Sequence, residues 1–351
     1  MQNKTNEQNQ KTDWPKDSLE TVSKCPVCES SQRHNLHKNL SDQIFFCAPG
    51  QWTMVQCTTC ATAYLNPRPT PSTIGLAYKN YFTHEEEPNF EPMTFKAKLR
   101  RSLANGYRNS QYGTQDHPAN PLGYLTINLI PNTKATLDAG MRHLPKIKTT
   151  KRLLDMGCGN GNFLLRARSA GWDTVGLDFD PKAVETAQSH GLNVQLGSVN
   201  TLNPAEEQFD VITMSHVIEH VHKPIEVLSA CYELLKPGGF LWLETPNIES
   251  QGHQIYGSAW RGLEPPRHLV LFTLESLKNA LNKAGFTKIE SQPYYPACEE
   301  MFKLSKAILE GENPYAQSLL KAESSVVKKA EQNAKTRPKC RELISLKAWK
   351  I

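Results

Sequence analysis

The 351-residue sequence has no apolar run near the roughly 18 residues that a membrane-spanning helix needs. Its opening stretch, MQNKTNEQNQKTDWPKDS, is polar and has no apolar segment of the kind found in secretory signals. No internal repeat of solenoid length is visible. We therefore expect a soluble, cytoplasmic protein in a reducing compartment. In such a compartment, its nine cysteines are interpreted as metal ligands or free thiols in preference to disulfides.

The sequence also has little clustered positive charge in its N-terminal third. The formal net charge is +5, but residues 321–351 alone carry nine Lys or Arg and three Asp or Glu, so the other 320 residues sum to −1. The excess charge thus belongs to the C-terminal end, where a solvated face, an anionic substrate or a membrane surface could each explain it. We expect nucleic acid to be an unlikely partner. The basic residues within 23–80 are Lys24, Arg33, Lys38, Arg68 and Lys79.

What the sequence does contain, from residue 151 to about 291, is an alternation of short apolar runs with segments of helical periodicity. This alternation predicts a parallel sheet with helices on both faces, in which ligands bind outside the carboxyl ends of the strands. Asp180 and Thr273 are predicted to cap two of the helices. The predicted strands are 152–156, 174–178, 192–196, 209–214, 240–244 and 286–290.

A glycine-rich loop, DMGCGNG at 155–161, follows the first predicted strand. A dinucleotide site prefers G-x-G-x-x-G, whereas this loop is G-x-G-x-G with an acid, Asp155, two positions before the first glycine. That acid suits the amino group of an amino-acid-bearing nucleoside such as S-adenosylmethionine. Asp178, at the end of the second strand, can accept both ribose hydroxyls of either nucleoside. The loop alone leaves NAD, S-adenosylmethionine and a merely connecting turn open.

Five ordered motifs, LLDMGCGNGNFL, VGLDFDP, FDVITMSHVIEHV, KPGGFLWLETPN and AGF, resemble the class I S-adenosylmethionine-dependent methyltransferases. The resemblance implies an α/β, Rossmann-like, seven-stranded sheet. It implies that Phe179 packs on the adenine. At the position that Ser198 occupies here, many members of the family have Asp. The cofactor-binding residues that it implies are Asp155, Gly157, Gly159, Asn160, Asp178, Phe179, Ser198, Val199, Ser215 and His216.

The family sheet closes with an antiparallel seventh strand, and none directly follows residue 290. The strand-like residues 342–351 are predicted to supply it, with a frayed terminal helix as the alternative. The intervening segment, with a predicted helix at 301–309, would then be an insertion that covers the site. The predicted units are a disordered lead-in (1–22), a zinc-binding module with four cysteine ligands (23–80), a helical linker or lid (81–147), the methyltransferase core (148–296 plus 340–351) and a helical insertion (297–339).

Two CxxC pairs lie in the N-terminal segment, Cys25 with Cys28 and Cys57 with Cys60. Two such turns can complete a tetrahedral site of four thiolates, so we predict a structural Zn²⁺ with no open coordination position. A redox CxxC motif and unrelated free thiols are the alternatives. The segment, continued to Tyr78 and Tyr81, resembles the zinc-ribbon preface of bacterial small-molecule methyltransferases, many of which act on sugars, polysaccharide intermediates or secondary metabolites.

Methyl transfer from a sulfonium is mainly a matter of alignment, helped by a general base when the acceptor is a hydroxyl or a carbon acid. Candidates for catalysis follow the fourth and fifth strands. His220 could take a proton or contact substrate, or it could only bond backbone at a helix start. Glu219 could orient His220 or bind a substrate hydroxyl, or it could be an acid placed by the helix dipole.

The loop WRGLEPPRHL at 260–269 resembles the substrate loop of zinc-containing deoxysugar C-methyltransferases, which carry Glu-His where Arg267 and His268 stand. The resemblance makes His268 a catalytic candidate and Trp260, Glu264 and Arg267 substrate-binding candidates. The arginine favours an anionic acceptor such as a phosphate or carboxylate. A buried ion pair of Arg267 with Glu264 is the alternative.

These features together predict a methyltransferase that acts on a small molecule or glycan. One alternative is an RNA methyltransferase that uses the zinc-binding module to bind substrate, although the sequence lacks the Asn/Asp-Pro-Pro-aromatic tetrad of enzymes that methylate base nitrogens. The other is a non-catalytic protein that binds the cofactor. Nothing in the sequence predicts the acceptor, the methylated atom or the oligomeric state.

Overall fold

The computed structural model describes residues 14–78, 94–315 and 323–351. The strands are β1 (Leu19–Glu20), β2 (Arg33–Leu40), β3 (Trp52–Cys57), β4 (Ala63–Leu65), β5 (Arg68–Pro69), β6 (Arg152–Met156), β7 (Asp173–Asp178), β8 (Asn193–Leu196), β9 (Phe209–Ser215), β10 (Leu235–Pro246), β11 (Val270–Leu271), β12 (Lys288–Ser291) and β13 (Leu343–Trp349). The α-helices are α1 (Phe95–Tyr112), α2 (Gly123–Asn128), α3 (Pro131–Gly140), α4 (Asn162–Ser169), α5 (Pro181–Ser189), α6 (Pro224–Leu234), α7 (Gln251–Tyr256), α8 (Leu274–Lys283), α9 (Cys298–Leu309) and α10 (Ser324–Thr336).

A mixed seven-stranded sheet forms the centre of the fold. Its strand order is β12-β13-β10-β9-β6-β7-β8, and the five strands from β10 to β8 are parallel. The α/β fold class and all six predicted strands of the alternating region are confirmed. The chain order of the parallel strands reverses direction between β6 and β9, and such a reversal places a crevice at their carboxyl ends.

The seventh strand is β13, which lies between β10 and β12 and is antiparallel to both. Its residues alternate between buried Ile344, Leu346 and Ala348 and half-buried neighbours, as expected of a strand with one face on the core. The prediction that the C-terminal residues close the sheet is confirmed. The predicted helix at 301–309 is also present as α9.

The helices that flank the sheet begin where the sequence predicts. Asp180 accepts a hydrogen bond from the backbone N–H of Lys182 ahead of α5, and Pro181 occupies the first helical position. Thr273 and Ser276 exchange backbone and side-chain hydrogen bonds at the start of α8. These caps fix the helices against a sheet whose central strands are apolar on both faces.

The CxxC segment folds as a small antiparallel sheet of order β11-β4-β3-β2. Its fourth strand, β11, comes from the chain just before α8, and pairs Val270 with Tyr64 and Leu271 with Ala63. Buried residues of the small sheet, such as Met54, belong to the same hydrophobic cluster as Leu154 of β6. The N-terminal module therefore shares its core with the central domain.

The lead-in differs from the expectation. Residues 14–22 are part of the fold, because Trp14 is buried against Trp52 and β1 pairs with β5. Residues 1–13 lie outside the described part of the chain. The remaining domain boundaries stay predictions. Among the described residues no helix is long and apolar enough to cross a membrane.

Candidate functional site

The glycine loop joins β6 to α4 in a conformation that requires glycine. Gly157, Gly159 and Gly161 all have positive φ, at 64°, 54° and 83°. A side-chain carbon on Gly157 would lie 2.4 Å from Val217, and one on Gly161 would lie 2.3 Å from Leu192. In the described structure, a side-chain carbon on Gly159 would meet nothing within 4 Å. The loop is thus packed at both ends and open in its middle, where a ligand can approach the backbone closely.

Asp155, at the carboxyl end of β6, is fully buried beside an arginine that the sequence reasoning missed. One carboxylate oxygen, Oδ1, is bound by Nη1 of Arg142 and accepts a 2.9 Å hydrogen bond from Thr213. The other, Oδ2, has no hydrogen-bond partner among the described residues. Burial raises the pKa of Asp155, although Arg142 opposes the shift.

Arg142 lies in the segment predicted as a linker or lid. Its guanidinium stacks over Phe163, 3.7 Å from the ring centroid. Arg142 and His143 both have positive φ, at 49° and 50°, which is strained for residues other than glycine. No motif marks this arginine in the sequence; only its position shortly before β6 could have suggested it.

Asp178 ends β7 and Phe179 follows it, as predicted. The Asp178 carboxylate accepts hydrogen bonds from the backbone N–H groups of Gly159 at 2.8 Å and Asp180 at 2.9 Å. It therefore holds the glycine loop in place, and each oxygen keeps a second lone pair for a ligand hydroxyl. Phe179 is 61% exposed, which is unusual for a phenylalanine at the end of a buried strand. Its ring meets that of Tyr78 edge to face, at a centroid distance of 5.2 Å.

The other predicted cofactor residues have differing surroundings. Asn160 accepts a hydrogen bond from the N–H of Asn162. Ser198 is exposed after β8, whereas Val199 is only 1% exposed, so only its backbone could border a ligand. Ser215 ends β9 directly opposite Glu244 of β10. His216 has a positive φ of 53° and its side chain is 46% exposed.

Glu219 lies on a short 3-10 turn, Ile218–His220, after β9, and its side chain is fully buried. Its Oε2 accepts a 2.9 Å hydrogen bond from Thr245, and its Oε1 lies 3.3 Å from Nδ1 of His216. Burial alone would raise the pKa of Glu219, but the neighbouring histidines lower it to about 2. The same contact raises the pKa of His216 against the effect of burial.

His220 and His268 come together although 48 residues separate them in the chain. Their ring centroids are 4.7 Å apart. Nδ1 of His220 donates to the carbonyl of Arg267 at 3.0 Å, and Nδ1 of His268 donates to the carbonyl of Gly262 at 2.7 Å. Because a carbonyl only accepts, each Nδ1 carries the proton and each Nε2 presents a lone pair. Burial lowers the pKa of His268 to about 4, so its ring is neutral near pH 7.

Three buried carboxylate oxygens at neighbouring strand ends have no hydrogen-bond partner among the described residues. They are Oδ2 of Asp155 at the end of β6, Oε1 of Glu219 after β9 and Oε2 of Glu244 near the end of β10. Unsatisfied buried polar atoms are costly, and they concentrate where a ligand supplies the missing partner. Their common position at the carboxyl edge of the sheet identifies this crevice as the candidate site.

The predicted substrate residues Arg267 and Glu264 are occupied by each other and by the N-terminal module. Arg267 is fully buried and binds Asp42 through two nitrogens, at 3.0 and 2.5 Å, and Glu264 through a third at 2.9 Å. Glu264 is also bound by Arg261. This geometry favours the buried ion pair over the binding of an anionic acceptor. Asp42, which supplies the second carboxylate, was not found from the sequence because it stands alone in a loop.

Trp260 is also buried, at 1% exposure, and its indole N–H donates to Oε2 of Glu342 at 3.1 Å. The polar atom of this predicted substrate residue is therefore used inside the protein. Burial raises the pKa of Glu342 to about 7.

The four predicted metal-binding cysteines lie together. Cys25 and Cys60 have their sulfurs 3.6 Å apart, Cys28 and Cys57 3.5 Å, and all four fall within 4.8 Å of one another. Zn–S bonds of about 2.3 Å in a tetrahedron imply sulfur separations of about 3.8 Å, so the cluster is close to the size that zinc needs. The two turns match, because Glu29 and Ala61, each four residues after the first cysteine of its pair, both donate to that cysteine's carbonyl and both have positive φ.

Residues 132–291 match the family model described as a methyltransferase domain. Over 151 residues the chain is 35% identical to a ubiquinone biosynthesis O-methyltransferase of Cereibacter sphaeroides, which covers 40% of this chain and 61% of that protein. It is 38% identical over 104 residues to the enzyme of the same name from Bordetella pertussis, covering 28% of this chain and 43% of that one. The matched part thus spans less than two thirds of these relatives.

A solved structure of a SAM-dependent methyltransferase from Archaeoglobus fulgidus is also similar, at 22% identity and a TM-score of 0.44, over 65% of this chain and 99% of that one. Residues 132–291 are thus similar to a methyltransferase domain, and they contain six of the seven strands of the central sheet.

Proposed function

We propose that the chain transfers the methyl group of S-adenosylmethionine to a small-molecule acceptor in the crevice at the carboxyl edge of the central sheet. The observation that carries this proposal is the set of three buried carboxylate oxygens, on Asp155, Glu219 and Glu244, that accept no hydrogen bond from the described residues. Two sides of the crevice then have different tasks.

The cofactor side comprises the loops after β6, β7 and β8. In the proposal, Oδ2 of Asp155 accepts from the amino group of the methionine moiety, the Asp178 carboxylate accepts from the ribose hydroxyls, and the exposed ring of Phe179 packs on the adenine. The open space over Gly159 fits close passage of a ligand. When bound, the cofactor supplies an electrophilic methyl carbon whose leaving group is a neutral thioether.

The acceptor side comprises Glu219, His220 and His268, together with Tyr78, whose hydroxyl lies 3.1 Å from Nδ1 of His220. Tyr78 also contacts Phe179 of the cofactor side, so it joins the two sides. In the proposal these residues orient the acceptor and manage its proton. The acceptor class that we infer is a hydroxylated small molecule, among which sugars, polysaccharide intermediates and secondary metabolites remain the expected range. The curated relatives are named as O-methyltransferases, which favours an oxygen acceptor.

In the same proposal the cysteine cluster holds a structural Zn²⁺. The four sulfurs fill a tetrahedron without an open position, so this ion would stabilise the fold and take no part in methyl transfer.

The RNA methyltransferase alternative gains no support from the small sheet. Among the basic residues within 23–80, Arg68 is buried and paired with Glu20 at 2.6 Å, and Arg33 donates to the carbonyl of Ser23. Lys79 lies outside the described residues. The two cations still available, Lys24 and Lys38, are far fewer than the cluster that a phosphate backbone requires.

The proposal is tested by calorimetry of S-adenosylmethionine binding to the whole chain and to Asp178→Ala. The Asp178 carboxylate would accept two charge-assisted hydrogen bonds from the ribose, worth roughly 1.5–3 kcal/mol each, so affinity should fall by at least about 100-fold. His190→Ala, an exposed histidine at the end of α5, serves as the control and should bind like the wild type. Wild-type protein that binds no S-adenosylmethionine, or equal affinity in Asp178→Ala, contradicts the proposal. A screen of hydroxylated acceptors with labelled methyl donor then identifies the product.

A further inference from the structure

A pocket lies at the side of the central sheet that the C-terminal strand completes. Its walls include Tyr294 and Tyr295, from the chain between β12 and α9, and Arg341, Glu342 and Ser345, from the beginning of β13 and the residues before it. Its empty space, part of which is open to solvent, is about 270 Å³. Sites for whole small molecules measure roughly 300–1,000 Å³, so this pocket has the size for one group of a larger ligand.

Glu244 connects this pocket with the candidate site. Ser345 on β13 is paired with Glu244 on β10, which is paired in turn with Ser215 on β9. Because directly paired residues point to the same face of a sheet, the three side chains form a row across three strands. The Tyr295 hydroxyl donates to Oε1 of Glu244 at 2.9 Å, and Oε2 accepts no hydrogen bond from the described residues. A ligand hydroxyl that binds Oε2 is therefore next to the pocket.

Arg341 brings a positive charge to the pocket, and it forms no ion pair with the described residues. Its Nε donates to the carbonyl of Ala334 at 3.2 Å and its Nη1 to the carbonyl of Gln292 at 2.9 Å. Burial lowers the pKa of Arg341, and no carboxylate opposes that shift. A guanidinium in this state can still bind a carboxylate or a phosphate through its remaining N–H groups.

Two hydroxyls on the pocket walls also await a partner. The hydroxyls of Tyr294 and Ser345 are buried and make no hydrogen bond within the described part of the chain. The guanidinium carbon of Arg341 lies 5.6 Å from the centroid of the Tyr294 ring. Buried polar atoms without a partner are costly, and a bound oxygen acceptor would satisfy both hydroxyls.

Two carboxyls near the pocket offset the charge of Arg341 only in part. Both oxygens of Glu342 already accept hydrogen bonds, from the N–H of Gly252 at 2.7 Å and from the indole of Trp260 at 3.1 Å. Burial raises the pKa of Glu342 to about 7 and raises that of Glu244 as well. Since a raised pKa favours the neutral carboxyl, the pocket presents mainly hydrogen-bond donors.

From these observations we propose that the pocket binds an anionic group of the acceptor, a carboxylate or a phosphate, through Arg341 and the hydroxyls of Tyr294 and Ser345. This inference deepens the proposed function and rests on it for the hydroxyl that is methylated. The acceptor is then a hydroxylated acid, whose anion lies in the pocket while a hydroxyl reaches Oε2 of Glu244. The anionic acceptor expected from Arg267 thus gains a different partner, Arg341.

The test uses the whole chain and three simple probes. Inorganic phosphate, acetate and acetamide are each titrated at low ionic strength, and binding is followed by calorimetry. We expect phosphate or acetate to bind at one site per chain, whereas acetamide, which has the shape of acetate without its charge, should not bind. The tighter of the two anions identifies the charged group of the acceptor. Absence of binding by both anions, or acetamide that binds as tightly as acetate, overturns the inference.

Arg341→Gln should weaken the binding of the anion at least tenfold, because charge-assisted hydrogen bonds are the stronger ones. Arg337→Gln provides the matched control. It removes the same charge from an exposed arginine four positions earlier and should bind the anion like the wild type. Equal losses in the two variants would mean that net charge attracts the anion, and would overturn the inference.

Tyr294→Phe guards against a variant of Arg341 that fails to fold, because it keeps the ring and removes only a hydroxyl without a partner. We expect a urea unfolding curve like that of the wild type and an affinity for the anion about threefold to tenfold weaker. Unchanged affinity in Tyr294→Phe, or in folded Arg341→Gln, overturns the inference.

Binding of S-adenosylmethionine is measured on the same samples, so the two proposals can fail separately. Wild-type protein that binds the cofactor but neither anion overturns only the anion pocket. Protein that binds an anion as expected but no cofactor overturns the proposed methyl transfer and leaves the anion pocket supported. Arg341→Gln should bind the cofactor with unchanged affinity.

Discussion

The two sides of the crevice are built in contrasting ways. Residues of the cofactor side that sequence motifs identified lie between Asp155 and Val199, each at the end of a strand or just after it. The acceptor side joins distant parts of the chain: 142 positions separate Tyr78 from His220, and 225 separate Asp42 from Arg267. One side is therefore a property of local motifs, whereas the other exists only when the small N-terminal sheet is packed against the central domain. Three changes test this difference.

The largest expected effect comes from the double variant Cys57→Ser and Cys60→Ser. If the cluster holds zinc, removing two ligands should abolish metal binding, which contributes on the order of 10 kcal/mol in small zinc modules. Because the two sheets share one hydrophobic cluster, we expect the melting temperature to fall by more than about 10 °C. Metal analysis and calorimetry provide the measurement. Cys340→Ser, outside the cluster, should change neither; one zinc per chain and an unchanged melting curve in the double variant would refute the prediction.

A smaller effect is expected from breaking the buried contact between the two regions. Arg267→Met leaves the carboxylate of Asp42 buried without its cation and leaves Glu264 with Arg261 alone, a change that typically costs about 3–5 kcal/mol of unfolding free energy. Urea unfolding measures it. The double variant Arg267→Met, Asp42→Asn should lose less unfolding free energy than the two single variants lose in sum, since the unpaired charge of Asp42 is then removed. The exposed pair of Lys223 with Glu226 provides the comparison, and Lys223→Met should shift stability by less than about 1 kcal/mol.

The smallest expected effect is a pH dependence at a second contact between the regions. Nε2 of His37 on β2 lies 2.8 Å from Nε2 of His253 on α7, and burial lowers the pKa of both rings, that of His253 to about 4. The folded state thus prefers neutral rings, so this stabilisation is complete above about pH 6.5 and is lost as pH falls toward 4.

We expect His253→Asn to lose less stability than the wild type between pH 6.5 and pH 4, by roughly 1–3 kcal/mol. Urea unfolding at a series of pH values gives the difference, in which carboxylates common to both proteins cancel. Parallel curves for the two proteins would show that the histidine pair does not titrate on unfolding.

The sequence predicted the central sheet well because its signals are local. Buried strands, the Asp180 and Thr273 caps and the glycine loop each depend on residues within a few positions, and the apolar alternation of β13 was enough to place the last strand. The acceptor side was predicted only in part. His220 and His268 were recognised as polar residues in the right loops, but their proximity depends on how the loop at 260–269 folds back.

Arg267 illustrates why the sequence did not predict the contacts of the other site residues. Its sequence neighbours suggested a free cation for an anionic acceptor, yet its main partner is Asp42, in a different module. Arg142 was missed for a related reason, since a strained turn in the chain before β6 brings it to Asp155. Neither contact leaves a periodic or spaced pattern that could be read along the chain.

The strand β11 has a consequence for the order of folding. It completes the small sheet by pairing residue 270 with residue 64, so the two partners are 206 positions apart. During synthesis from the N-terminus, the CxxC turns are made long before the strand that covers β4 exists. Closing such a distant contact is slow compared with forming local ones. Strands β2 to β4 are therefore synthesised early, and their edge partner β11 is synthesised late. Until residues 270–271 have been added, β4 is an edge strand without a partner on that side.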